Sequence, residues 1–267
     1  MSVYAKESPQ RLNRALRSIW HEQIRKPDQI VLVEDGPLPR DLKDVIKDFQ
    51  NNLKEKMYVV RLPLNRGLGP ALQEGLKKCR YDLIARMDSD DVAVADRFVK
   101  QLEIFANKDI DICGSWVGEF EEDQKKIVSI RKVPENHDEI VKFAKWRSPM
   151  NHPSVMFRKK SVLDIGGYRA VEGFEDYDLW MRMLLAGYRF YNYPDILVNM
   201  HSDKMMMHRR RGLSYISSEI YFWREAKRLG FVNDFEMIRN IVLRILPRCF
   251  PVHLLHKIYR SILRSNV

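Results

Sequence analysis

Over its first 115 residues the chain alternates short apolar runs with stretches whose apolar residues recur every three or four positions. The short runs are Ile30-Val31-Leu32-Val33, Tyr58-Val59-Val60, Leu83-Ile84-Ala85 and Ile110-Asp111-Ile112-Cys113. Their brevity and β-branched content predict strands buried on both faces, as in a parallel sheet. Between them, Leu12, Ala15, Leu16, Ile19 and Trp20 mark one helical face. Ala71, Leu72, Gly75 and Leu76 mark a second, and Phe98, Leu102 and Phe105 a third. Strand–helix alternation predicts an α/β fold, with a single doubly wound, mostly parallel sheet flanked by helices. Ligands in such sheets bind beyond the carboxyl ends of the strands. Met1-Ser2-Val3-Tyr4 reads as the last part of a first strand, short against the usual five or six residues.

The pattern changes after residue 115. Trp116 to Val133 reads as a charged hairpin with Glu121-Glu122-Asp123 at its turn. A helix is expected over 137–147, a strand at Ser154–Phe157, a sharp loop at Gly166-Gly167-Tyr168, a helix over Asp176–Leu185 and a last strand over Tyr188–Tyr193. No internal repeat or low-complexity linker interrupts the chain. One domain over 1–230, in two parts meeting near residue 115, followed by a tail over 231–267, is the expected organisation. Pro247 and Pro251 break the tail into two helical patterns. In the second, His253, His256, Lys257, Arg260 and Arg264 share one face, and Leu254, Leu255, Ile258, Tyr259 and Ile262 the other. That separation suits either a helix lying in a membrane interface or one packed on the protein's own core.

Charge adds to this picture. The 267 residues carry a formal net charge of +10, which favours polyanionic partners. The excess is local: no acidic residue follows Glu236, and six arginines and lysines do. No run approaches 18 apolar residues, so no spanning helix is expected. Met1 leads within a few residues to Lys6-Glu7, with no leader pattern. Cys79, Cys113 and Cys249 match no metal or redox spacing, as in a reducing cytosol.

Against this basic background, three acidic sets fall just after predicted strands or loops. Asp88, Asp90 and Asp91 follow Leu83–Ala85. Three carboxylates on one turn repel each other unless solvated or completed by a cation. Hard divalent cations take oxygen ligands, often carboxylates together with substrate phosphates. Asp88 and Asp90 alternate, so in extended backbone they point the same way. An EF-hand loop is excluded, since the sixth and twelfth positions from Asp88 are Ala93 and Val99. Asp91 reads equally as a turn or cap residue. Glu175 and Asp176 open a helix after Gly173, either as dipole-favoured acids or as a general base. Asp35, before Gly36, reads as a turn residue or as an acceptor for a nucleobase N–H.

Taken in order, SVY at 2–4, VLVEDG at 31–36, LNRGLGPALQEGL at 64–76, ARMDSDD at 85–91, NHPSVMFRK at 151–159, GGYR at 166–169 and GFEDYDLWMRM at 173–183 resemble the inverting GT-A glycosyltransferases of family 2. The resemblance covers about residues 1–205. The chain is similar to bacterial enzymes that build capsule, exopolysaccharide or O-antigen repeat units. The resemblance implies a GT-A fold, a nucleotide-binding part over about 1–115 and an acceptor part over about 116–230. It implies that Asp35 binds the base of a nucleotide-sugar, most readily a UDP-sugar, with Tyr4 and Arg66 close by. Asp88 and Asp90 would be the DxD pair on Mn²⁺ or Mg²⁺, Asp90 the more direct ligand and Asp88 nearer the ribose and phosphates. Asp176 would be the base that inverts the anomeric carbon. Asn151 and His152 would line the acceptor side. His201 reads as a loop histidine, a further metal ligand or a phosphate contact. The Gln-x-x-Arg-Trp motif and spanning helices of processive synthases are absent, which implies a single addition. The implied acceptor is a glycan or a polyprenyl-diphosphate-linked sugar. His208-Arg209-Arg210-Arg211 could hold a pyrophosphate, and the basic tail would bring a cytoplasmic catalytic domain to the inner leaflet of the plasma membrane.

Three other readings share some of these features. Gly67-Leu68-Gly69 with Asp88 about 20 residues on approaches an NAD(P)-binding Rossmann fingerprint, though its third glycine is not properly filled. A nucleotidyltransferase also needs metal-binding carboxylates. A basic module binding membrane or nucleic acid would use the net charge alone. The acidic sets at the expected cleft speak against nucleic acid as a partner.

Overall fold

The computed structural model describes residues 1–202 and 213–248. The 208–211 basic run and the 253–264 amphipathic pattern lie outside these residues. Strands β1 (Ser2–Val3), β2 (Ile30–Glu34) and β3 (Met57–Arg61) form one parallel ladder in the order β1-β2-β3. A second ladder runs β4-β8-β6-β9-β5, with β7 pairing to β6. Its strands are β4 (Leu83–Ala85), β5 (Val92–Ala93), β6 (Ile112–Phe120), β7 (Ser129–Arg131), β8 (Met156–Arg158) and β9 (Phe190–His201). β6 and β9 run parallel along nine residues of β6, and the other pairs are antiparallel.

The expected α/β sheet flanked by helices is present, and parallel pairing predominates. It differs from one continuous sheet at a single place. β1 pairs with β2 through two residues only, and an apolar cavity of about 290 Å³ separates β2 from β4. Val31, Val33, Leu83 and Ile84 line it. A two-residue strand cannot bridge both neighbours, so the ladder stops there.

Helices α1 (Pro9–Trp20), α2 (Arg40–Leu53), α3 (Leu68–Lys78) and α4 (Arg97–Asn107) cover the first ladder and the adjoining strands. α1 starts where Ser8 Oγ accepts a bond from the Arg11 N–H, with Pro9 at the first helical position. Its buried face is Leu12, Ala15, Leu16, Ile19 and Trp20, the face predicted. Of these, Leu12, Leu16, Ile19 and Trp20 join Leu32, Leu42, Ile46 and Phe49 in the first core. α5 (His137–Ala144), α6 (Lys159–Asp164) and α7 (Glu175–Leu185) flank the second ladder. There Ile112, Phe157, Trp180 and Phe190 meet Leu72 of α3 in a second core. Full burial of such a side chain contributes about 1.5–3 kcal/mol. α8 (Leu213–Arg228) and α9 (Asp234–Arg248) pack Phe222, Trp223 and Phe231 against Phe174 and Tyr177 in a third.

Two elements depart from the pattern-based expectation. The last strand continues past Tyr193 to His201, because Pro194 and Asp195 bulge out between the Ser115↔Tyr193 and Trp116↔Ile196 pairs. Proline is tolerated in a ladder at such an irregularity. The strand expected at Ser154–Phe157 begins at Met156, after a short 3₁₀ turn over His152–Ser154.

Gly67 and Gly69 shape the start of α3. Gly67 caps the helix at φ +84°, a conformation that favours glycine. Gly69 has ordinary backbone, but a methyl group there would lie 2.5 Å from the Arg169 carbonyl oxygen and 3.1 Å from Glu175 Cγ. It is the point at which α7 closes on α3, so the glycine answers a packing demand. Gly69→Ala gains at most about 1 kcal/mol of helix propensity, and the clash with fixed backbone costs roughly 1–3 kcal/mol or more. The variant is expected to be net less stable by urea denaturation at unchanged m-value; a stability gain would show that α7 does not close on α3 in this way.

Candidate active site

The acidic turn, residues 86–91, carries the chain from β4 at one edge of the second ladder to β5 at the other. Arg97 anchors its start. This fully buried side chain donates to the Arg86 carbonyl at 2.7 Å and the Val155 carbonyl at 3.3 Å. Arg86, also buried, turns its guanidinium onto both carboxylate oxygens of Asp88. One oxygen each of Asp88, Asp90 and Asp91 lies within 4.8 Å of the others. Burial raises the Asp91 carboxyl well above the carboxylate range, and Asp88 and Asp90 push it the same way. Burial likewise raises Asp88, against the pull of Arg86.

His201 enters this cluster from the end of β9. Its backbone N–H donates to Asp91 Oδ1 at 2.8 Å, and its Nδ1 lies 3.7 Å from Asp90 Oδ2. Asp91 Oδ2 and His201 Nδ1 are buried and have no hydrogen-bond partner. Unsatisfied buried acceptors are costly and point to a missing donor or cation. Carboxylate oxygens beside an imidazole nitrogen suit Mn²⁺ or Mg²⁺ by donor type. The residues present therefore fit a divalent ion, with Asp90, Asp91 and His201 freer to hold it than the arginine-bound Asp88.

Two residues that the sequence reading left without a role join the site. Glu7, in the loop after β1, accepts a bond from Ser89 Oγ at 2.8 Å, and burial followed by the charge of Asp90 raises its carboxyl. Arg14 of α1 stacks its guanidinium on Phe120 at 5.0 Å and lies in the field of Asp90, Asp91 and Glu7. Neither residue type nor spacing marks them in the sequence, since the fold brings them from 75 or more positions away.

Asp35 is buried behind the first ladder's carboxyl end, where its two oxygens accept from the Arg66 N–H at 2.7 Å and the Gly67 N–H at 3.1 Å. It fixes the loop leading into α3, and the half-exposed Arg66 side chain points toward Glu74 at 3.9 Å. Tyr4 is partly exposed beyond β1. Asn151 is buried and donates to the carbonyls of Ser115 and Arg131 at 2.8 and 3.1 Å, so its amide ties backbone together. His152 is buried against Trp180, with Nε2 3.0 Å from the Tyr168 hydroxyl. Burial, helped by Arg86, holds its imidazole well below the usual range, and it is neutral at pH 7.

Glu175 and Asp176 stand at the N-terminus of α7, where the dipole favours acids. Burial lifts the Glu175 carboxyl from its ordinary 4.5 to about 7. The Tyr168 phenol, raised mainly by burial, feels Arg86, Asp176, Asp88 and Glu175 in that order. One tyrosine thus senses both ends of the site, and Arg86 lies between the acidic turn and the start of α7. The acidic turn and the Glu175-Asp176 pair thus both lie within electrostatic reach of Tyr168.

The model of glycosyl transferase family 2 matches residues 1–166. A glycosyltransferase of Haemophilus influenzae, without an assigned reaction, is 40% identical over 99% of this chain and 98% of its own length. The Escherichia coli UDP-Gal:α-D-GlcNAc-diphosphoundecaprenol β-1,3-galactosyltransferase is 37% identical over 99% of this chain and 95% of its own. Among solved structures, a mannosyltransferase of Pyrobaculum calidifontis in complex with GDP-Man and Mn²⁺ superimposes with a TM-score of 0.63 at 13% identity. That match covers 97% of this chain and 77% of the other, and it supports the GT-A fold. Family model, full-length relatives and fold agree: the chain belongs to glycosyltransferase family 2.

Proposed function

We propose that the protein transfers a single sugar from a nucleotide-sugar, a UDP-sugar in the first instance, to a hydroxyl of a glycan or polyprenyl-diphosphate-linked acceptor, inverting the anomeric carbon. The reaction would add one unit to a bacterial surface polysaccharide at the inner face of the plasma membrane. The observation that carries this reading is the convergence on Tyr168 and Arg86 of the acidic turn and the Glu175-Asp176 pair. The full-length similarity to a galactosyltransferase that uses UDP-Gal and a diphosphoundecaprenol-linked acceptor supports the choice of substrates. Gly69's packing role leaves the Rossmann fingerprint without its phosphate-binding purpose.

In this mechanism Asp90, with Asp91, Asp88 and His201, would hold Mn²⁺ or Mg²⁺. A bound divalent ion supplies Lewis-acid neutralisation of the diphosphate leaving group. Arg86 fixes Asp88 in one orientation, toward the ribose and phosphates. Asp35 holds the Arg66-Gly67 backbone as one wall of the base pocket, and Tyr4 forms another. Asp176 takes the acceptor's hydroxyl proton as that oxygen attacks from the face opposite the diphosphate. Glu175, half-buried beside Gly69, keeps its own proton below about pH 7 and adds no second negative charge in that range.

A positioned base contributes ~10²–10⁴-fold. Asp176→Asn is expected to lose at least that much in kcat with donor affinity retained, measured as release of nucleoside diphosphate in the presence of acceptor; near-wild-type turnover would remove Asp176 from the mechanism. Asp90→Ala is expected to abolish the Mn²⁺-dependent rise in thermal transition seen with a UDP-sugar, because the donor stabilises only through an intact site. An undiminished rise would place the ion elsewhere.

Glu175 gives a pH signature separate from turnover. Its pKa is raised on folding, so its stability contribution is whole below about 4.5 and is lost as pH climbs through 7. Relative to Glu175→Gln, the wild-type protein should lose on the order of 2 kcal/mol between pH 5 and 8. Parallel stability curves for the two proteins would contradict the burial of this carboxyl.

A further inference from the structure

We propose that α9 docks on an anionic lipid surface through its outer face. The proposal deepens the reading of the acceptor as lipid-linked and rests on it for its purpose. The inner face of α9 is fully engaged. Buried Asn240 donates to the Lys145 carbonyl at 2.7 Å, and Arg244 reaches Glu219 at 3.1 Å and the Trp146 carbonyl at 2.7 Å. Met237 and Ile241 pack against the third core. The outer face carries Phe235, Ile238, Val242 and Leu243, each between 43% and 73% exposed. Positions 235, 238 and 242 fall on one stripe, with Leu243 beside it and Arg239 inside it. A helix on a soluble surface ordinarily presents polar residues there, and an apolar stripe of this kind marks a contact. Trp146, which α9 grips by its carbonyl, is itself half-exposed. Tryptophan favours the boundary between water and lipid.

Charge selects the occupant. From Met237 to the end of the sequence there is no acidic residue, while Arg239, Arg248, Lys257, Arg260 and Arg264 occur besides the Arg244 already paired with Glu219. A second copy would set Arg239 against its own equivalent, and the sequence from 249 to 267 adds cations and no acid. Anionic headgroups complement it, each nearby cation adding attraction within a Debye length. The geometry gives the contact a use. α9, α8 and the first turn of α7 share one core, in which Tyr177 packs on Phe222 at 4.5 Å between ring centres. A surface held by α9 therefore sets the height of the Glu175-Asp176 end above the headgroups.

The test is flotation of the full chain with vesicles of phosphatidylglycerol and phosphatidylcholine, against phosphatidylcholine alone. The wild-type protein should float with the anionic vesicles, and Ile238→Gln/Val242→Gln/Leu243→Gln should bind about tenfold less or weaker still. Its mass in solution, thermal transition and donor-induced shift should match the wild type. Undiminished flotation of the variant would overturn the proposal, since another segment would then carry binding. So would a fall in solution mass, which would make the stripe a self-association face, or a lowered thermal transition, which would mean that the chain's own tail covers it. The donor-induced shift is read in the same samples, so a failure of the proposed reaction shows separately from a failure of docking.

Discussion

The mutual repulsion of Asp88, Asp90 and Asp91 is the constraint around which the rest of the site is arranged. Two unit charges at about 4 Å cost ~4 kcal/mol at the effective dielectric of a protein surface, and here three carboxylate oxygens lie within 4.8 Å. The fold offsets part of this with buried cations. Arg86 binds Asp88 directly, and Arg97 holds the carbonyl of Arg86 from below. Backbone and hydroxyl donors add more, the His201 N–H to Asp91 and Ser89 to Glu7. What is left over is negative and oxygen-rich, with two buried ligand atoms unsatisfied. That residue of unbalanced charge is why the turn suits a divalent ion rather than a protein partner.

Much of this was legible in the sequence, for physical reasons that differ residue by residue. The acidic turn announces itself because three carboxylates after an apolar strand are expensive without a purpose. The strands and the face of α1 follow from periodicity, which the core residues obey position by position. The pattern ends the last strand at Tyr193, before Pro194-Asp195, and leaves His201 in a loop. A bulge absorbs both residues, and β9 runs on to deliver His201 to Asp90 and Asp91. Arg86 was in plain view within the motif, yet its direction depends on burial, which a single sequence does not reveal. Glu7 and Arg14 meet the turn only through tertiary packing. The mostly parallel sheet divides into two ladders beside β1, which pairs through two residues only, a matter of strand length rather than pattern.

Asn151 and His152 illustrate the opposite case. The resemblance implies a place on the acceptor side, but buried polar side chains also serve as internal ties. Asn151 bonds two carbonyls of neighbouring strands, and His152 is neutral against Tyr168 and Trp180. His152 touches the site through Tyr168, whose hydroxyl lies 3.0 Å from its Nε2. A polar motif in an α/β protein can thus shape a site one residue removed from it.

The start of α7 is held from three directions, and this would decide how precisely the proposed base, Asp176, acts. α3 meets it at Gly69, where the absence of a side chain permits contact with Arg169 and Glu175. α8 meets it at Gly173, whose positive φ of +76° and closeness to the Tyr215 ring both demand glycine. Arg182, one helical repeat along, donates to the carbonyls of Ile165 and Gly167 and to Asp178, locking the preceding loop. The acidic turn is fixed separately, by Arg97 and by the strands on either side. Two rigid supports with independent anchors set the gap between the leaving-group side and the base side. A shift of about 1 Å in such a gap can cost on the order of 10²-fold in rate. On the proposed mechanism the glycines at 69 and 173 would act on the chemistry through distance alone, and the C-terminal helices by the same route.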